Sequence, residues 1–340
     1  MHARPHDALF RSAFEAPAHA AALLRELLPP SLRALVEWHT LSRDTASFVD
    51  VSLADQHGDL LFFAQLKTPG RASIGFLLEH QSTLDRTMPL RALSYQTRIW
   101  TRFRKERRTA PLPPGLAVVV SHARGGWRAS HSLTELFDPG VLAIPDLSAL
   151  VPRLSLLIDD LTRLSNRDLQ ARKLPPFPKL ALWMLRDARA PRRLLDSFDA
   201  WADAFAELER APAGREAITS LFTYAFEVVD LVHHDELHAK LEKLGTRTKE
   251  TAMTIAQMWH DEGQQEGRRK GRQEGRREGR REGRQEGQVA MLRRLLVLKF
   301  GARSLHRRYN ARLDAATSPE IDRYLRRVLK ADSIAAVFDD

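Results

Sequence analysis

The 340-residue sequence contains no cysteine. That excludes a disulfide scaffold, thiolate-ligated zinc and a thiol nucleophile. Long apolar runs are missing too; none approaches the roughly 20 residues that a membrane-spanning helix needs. The opening segment, MHARPHDALF, lacks the apolar stretch of a signal peptide. Aromatic residues make up only 7%, yet hydrophobic residues reach 43% and charged ones 28%, a globular balance. Together these absences lead us to expect a soluble protein of a reducing cytoplasm, with no membrane contact.

What the sequence has in excess is positive charge. Lys and Arg number 53 against 43 Asp and Glu, a formal charge of +10. An acidic partner is implied, with nucleic acid the first candidate. The charge is uneven, because residues 176–261 sum to −3 and residues 262–340 to +8.

Periodicity divides the chain. Residues 6–28 place apolar side chains at helical spacing up to Pro29 and Pro30, and a short helix is expected over 31–37. Alternating segments at 47–54, 59–67 and 74–81 read as three strands joined by turns, an antiparallel meander. A helix over 90–108 and a buried strand over 115–120 follow, and only helical patterns are seen from about 147 to 259. The fold class is therefore α/β, in the order α-β-β-β-α-β, with a helical extension. The boundaries expected are a core at 1–145, helices at 146–260, a charged repeat at 261–288 and a helical C-terminal segment at 289–340.

Side chains alternate across a strand, so Glu79 and Gln81 share a face. Folding the second and third strands about the turn at 68–73, with Lys67 opposite Ile74, brings Asp59 near both. Two carboxylates at adjacent strand ends suit a hard divalent cation such as magnesium or manganese, and the carbonyl of His80 can supply a third oxygen. The same residues also suit a strand that merely starts after a turn, beside another that ends in solvent. Lys67 lies eight residues from Asp59, about 26 Å at strand rise, too far to assist it.

At these residues the sequence resembles the recombination-promoting nuclease and transposase family, the YhgA-like group within the PD-(D/E)XK nuclease superfamily. The resemblance is carried by HDALF at 6–10, SFVD at 47–50, DLLF at 59–62, LLEHQS at 77–82, MPLR at 88–91 and Tyr95. It implies a restriction-endonuclease-like core with a metal-dependent phosphodiester-cleaving site. On this likeness Asp59 corresponds to the acid of the second core strand. Glu79 and Gln81 correspond to the E-x-K signature, here E-x-Q, and Asp50 falls on a further acidic position. The resemblance thus implies a magnesium-dependent DNA endonuclease that promotes recombination or transposition-like exchange. The alternatives are a catalytically degenerate fold that binds DNA or protein, and a nuclease acting on RNA.

Two further features point toward DNA or a second copy of the chain. Arg98, Arg102, Arg104, Lys105, Arg107 and Arg108 crowd the helix after the signature and offer phosphate contacts; they also suit a solvated helix end. Glycine recurs every four residues from Gly263 to Gly287 among Glu, Gln and Arg. Seven glycines weaken a helix by about 7 kcal/mol relative to alanine, whereas the Glu–Arg and Glu–Lys pairs support one. A marginal helix or linker, self-association through the repeat or the C-terminal helices, and DNA contact all remain open. His233, His234 and His238 lack an HExxH pattern and read as a structural or solvated face.

Overall fold

The computed structural model describes residues 4–44, 59–70 and 72–339. The expected strand over 47–54, and Asp50 with it, lies outside the described residues.

Three short helices open the chain: α1 (Pro5–Phe14), α2 (Pro17–Leu27) and α3 (Pro30–Leu35). Each has proline in its first turn, where no backbone N–H is needed and φ is already helical. The next residues differ from expectation. The helix ends at Leu35, and Val36–Arg43 forms strand β1. This segment alternates weakly, and its pairing with β2 (Leu60–Leu66), not its own pattern, makes it a strand.

The sheet runs β1-β2-β3-β4-β5, with β3 at Ser73–Gln81, β4 at Gly115–Ser121 and β5 at Leu156–Asp160. The β1–β2 and β2–β3 pairs are antiparallel, and β3–β4 and β4–β5 are parallel. Strand β5 lies inside the stretch expected to be wholly helical; its short apolar run, LLIDD, has too few residues for a period to declare itself. The β2–β3 register also differs from expectation. Leu60 pairs with Leu78 and Gln65 with Ser73, and Leu66 N–H donates to the Ala72 carbonyl, so the turn falls earlier than the expected 68–73.

The sheet separates two apolar layers. On one face, Leu60, Phe62, Phe76, Leu78, Val118 and Val120 pack with α1, α2 and the later helices, around Trp183, Phe198, Trp201 and Phe222. On the other, Leu77, Ala117 and Val119 pack against Met88, Ala92 and Tyr95 of α4 (Met88–Glu106). Burial on both faces explains the unbroken apolar run of β4. β3 therefore sends its even-numbered side chains toward α1 and its odd-numbered ones toward α4.

The chain divides into two compact units, Met1–Trp259 and His260–Asp340. The glycine repeat is helical, within one helix spanning Thr246–Phe300. The second unit has its own core of Leu292, Leu296, Leu313, Ile321, Tyr324, Val328 and Phe338. A capping box between Thr317 and Glu320 starts its helix Ser318–Val328. No helix of the described residues is long and apolar enough to cross a membrane.

Candidate active site

Asp59 immediately precedes β2, and one step beyond the Leu60–Leu78 pair it faces Glu79. The register that differs from expectation thus brings the two carboxylates closer than the expected one did. Glu79 is fully buried and Gln81 is 8% exposed. Both face α4, as the alternation requires.

Helix α4 supplies what sequence reasoning missed. Arg91 Nη2 donates to Glu79 Oε2 at 2.6 Å, and its Nη1 donates to Asp85 Oδ2 at 3.0 Å. One turn on, the Tyr95 hydroxyl donates to Asp59 Oδ2. Residues four apart share a helix face, so the Arg91–Tyr95 spacing was a usable signal. It lacked only the knowledge of which face meets the sheet. Gln81 Nε2 lies 3.5 Å from Glu79 Oε2, a long contact that leaves most of its amide's capacity unused.

The electrostatics follow from this packing. Burial first, then the negative charge of Asp59, pushes the Glu79 carboxyl well above its ordinary range, against the pull of Arg91. Burial raises Asp59 too, while hydrogen bonds from Glu79 and Tyr95 oppose the rise. Of the two carboxyls, Glu79 is thus the one held higher. Burial and the charge of Asp59 push the Tyr95 phenol upward, so it stays a donor.

Glu79 Oε1 is buried and meets no donor. A buried carboxylate oxygen in that condition calls for a proton or a cation. Oxygen donors from Asp59 and Glu79 are the type that a hard divalent ion prefers. Within β3, Gly75 N–H donates to Pro114 O and His122 N–H to Gln81 O, so odd-numbered residues bond β4. The carbonyl of His80 is therefore turned toward β2 and Asp59, as a third oxygen would need. The residues present fit such an ion, although the described residues contain no group of three acidic or histidine side chains that could hold one.

The side chain of His80 lies on the opposite face. Its Nδ1 is 2.7 Å from Asp7 Oδ1, and its ring stacks on Phe10 and His122. His234 of the second histidine group binds the Val229 carbonyl at 2.9 Å and meets Phe226 edge-on.

The basic cluster sits at the far end of α4, about 16 Å along the helix axis from Arg91. Arg102 pairs with Asp44 and Glu106, and Arg104 binds the carbonyls of Arg108 and Ala110. Arg107 covers the Phe103 ring, while Lys105 and Arg108 are exposed. Arg98 is half-buried, with a buried Nη1 that meets no acceptor.

A mixed sheet with helices on both faces, and a buried acidic pair gripped by an arginine and a tyrosine, defines an α/β protein with a polar site at its strand ends. The chain belongs to the family described as "Putative transposase, YhgA-like", whose profile matches residues 4–218. Among its relatives is the "Recombination-promoting nuclease RpnD" of Escherichia coli O157:H7, 27% identical over 76% of this chain and 95% of the relative. Another is "Recombination-promoting nuclease RpnA" of Escherichia coli K12, 23% identical over 77% of this chain and 85% of the relative. A third, from the same strain, is the "Inactive recombination-promoting nuclease-like protein RpnE", 24% identical over 77% of this chain and 83% of the relative. No solved structure matches this chain.

Proposed function

We propose that the chain is a metal-dependent nuclease that cleaves DNA in recombination or transposition-like exchange, on a PD-(D/E)XK-type core. The observation that carries this reading is the buried Asp59–Glu79 pair, with one carboxylate oxygen left unsatisfied at the end of β3. Asp59, Glu79 and the His80 carbonyl would hold magnesium or manganese. Such an ion, when bound, supplies charge neutralisation at the scissile phosphate and acidifies water.

The chain's own residues do the rest. Arg91 fixes the Glu79 carboxylate through Oε2 and leaves Oε1 directed into the site. Tyr95 fixes Asp59 in the same way. Gln81 stands where the signature has a lysine and cannot add charge, but its amide can orient a water. The positive charge closest to Glu79 is Arg91, which remains ionised and takes over the electrostatic part of that lysine's role. Glu79 must lose its proton before an ion binds.

A second reading is a degenerate fold that binds DNA or protein without cleaving it. Gln81 in the signature and the salt bridge that occupies Glu79 Oε2 favour it, and one relative carries the name inactive. Plasmid nicking in magnesium separates the two readings. Nuclease action predicts cleavage by the wild type and at least a hundredfold less by Asp59→Ala and Glu79→Ala. Equal cleavage by all three proteins overturns the assignment.

A further inference from the structure

We propose that Arg189 and Arg124 form a phosphate-binding contact for the nucleic-acid strand, at the C-terminal ends of β3 and β4. The inference rests on the nuclease reading and names where its substrate backbone is held.

Arg189 is half-buried and held by two acceptors. Its Nε donates to His6 Nε2 at 3.0 Å, and its Nη1 donates to the Ser82 carbonyl at 2.7 Å. A guanidinium can only donate, so His6 Nε2 must be the bare ring nitrogen. The His6 proton therefore sits on Nδ1 and points to the Tyr224 hydroxyl, 2.8 Å away. Burial, then Arg189 itself, holds His6 neutral, with its pKa lowered to about 4.

Both groups that fix Arg189 are thus uncharged. Among the described residues neither Arg189 nor Arg124 pairs with a carboxylate. Asp7, next to His6 in sequence, is engaged with His80. Three other arginines shielded from water grip carboxylates instead: Arg91 holds Glu79 and Asp85, Arg172 holds Asp159, and Arg186 holds Asp187. Arg124 is exposed, makes no hydrogen bond among the described residues, and lies two residues beyond His122, whose ring meets that of the Arg189 anchor His6 with centroids 4.9 Å apart. Two like charges with no acid between them are stabilised by an external anion. A phosphodiester suits the guanidinium fork, and the rigid anchoring of Arg189 removes the entropy cost of holding it in place.

Position supports the same occupant. Ser82 is three residues beyond Glu79, roughly 10 Å at strand rise, and Arg189 reaches it from the α1 face while Glu79 points to the α4 face, so a strand would meet both around the C-terminal edge of β3. Arg124 follows β4, whose Ser121 pairs with Gln81. The ends of parallel strands are where open α/β sheets take ligands. By contrast, the Arg102–Arg108 end of α4 is remote and partly satisfied internally.

The test is fluorescence anisotropy of a labelled DNA duplex with the full chain, in EDTA, across a salt titration. Arg124→Gln and Arg189→Gln are each expected to weaken binding about five- to tenfold near 0.1 M salt and to lower the log–log salt slope by about 0.9. Arg124→Gln breaks no intramolecular bond, so it decides the matter even if Arg189→Gln loosens the fold. Wild-type affinity and slope in Arg124→Gln overturn the proposal. Because binding is read without divalent ions, the two ideas fail separately. Nicking with an unchanged slope sinks this contact alone, and an arginine-dependent slope without nicking sinks the nuclease reading alone.

Discussion

At the scale of single residues, the main energetic feature is the upward push that burial and Asp59 give the Glu79 carboxyl. A carboxyl whose pKa is raised by folding binds protons more tightly in the native than in the unfolded chain. Its stabilising contribution is therefore complete below the ordinary carboxylate pKa and is lost as pH rises through the raised value. His6 acts with the opposite sign. Its pKa is lowered to about 4, so stability is present above the ordinary value of 6.5 and is lost as pH falls toward 4. We expect the thermal midpoint in EDTA to fall as the pH rises from the ordinary carboxylate range through the raised value in the wild type, and to stay flatter in Glu79→Gln. Parallel curves for the two proteins would show that the Glu79 carboxyl is not raised by folding. Strand alternation put Glu79 and Gln81 on one face in the sequence, and folding the strands about the turn at 68–73 brought Asp59 near them. Arg91 and Tyr95 were visible only as residues of a helix, because alternation within one element cannot say which helix face another element covers. Arg189 was less accessible still, since its anchors are brought to it from positions 6 and 82.

At the scale of elements, α4 and β4 are locked by one close approach. A Cβ on Gly115 would stand 1.5 Å from Gln96 Oε1, and Gln96 follows Tyr95 directly. Gly115→Ala must therefore displace a side chain beside the site. We expect a loss of roughly 1–3 kcal/mol, the usual range for overpacking. A lowered thermal midpoint would show it, and adding Gln96→Ala should recover most of the loss. An unchanged midpoint in the single variant would mean that α4 shifts freely on the sheet. The run β2-β3-α4-β4 was readable because the turn at 68–73 and the prolines at 111, 113 and 114 punctuate it. β1 and β5 were not readable. Each is specified by the strand beside it: β1 carries a weak alternation beside β2, and β5 offers five residues beside β4.

At the scale of the whole molecule, the charge and the candidate site part company. Residues 262–340 carry +8 of the net +10, whereas the acidic pair, Arg91, Arg124 and Arg189 all belong to Met1–Trp259. Within the helix Thr246–Phe300, a Cβ on Gly271, Gly275, Gly279, Gly283 or Gly287 would meet nothing within 4 Å. Glycine there relieves no crowding, and arginines flank it throughout. The first unit has its own apolar core, which among the described residues runs from Leu9 to Ile255. A chain ending at Trp259 should therefore unfold cooperatively near the full-length midpoint and should nick DNA as the full chain does. Loss of the basic tail should appear elsewhere. Duplex affinity near 0.1 M salt should fall by an order of magnitude or more, and the salt slope should drop by several units, because each released phosphate contact contributes about 0.9. The remaining slope should still respond to Arg124→Gln. A truncated chain with the full-length slope would mean that the glycine repeat and C-terminal helices do not touch DNA, leaving a second copy of the chain as the surface their open face was made to meet.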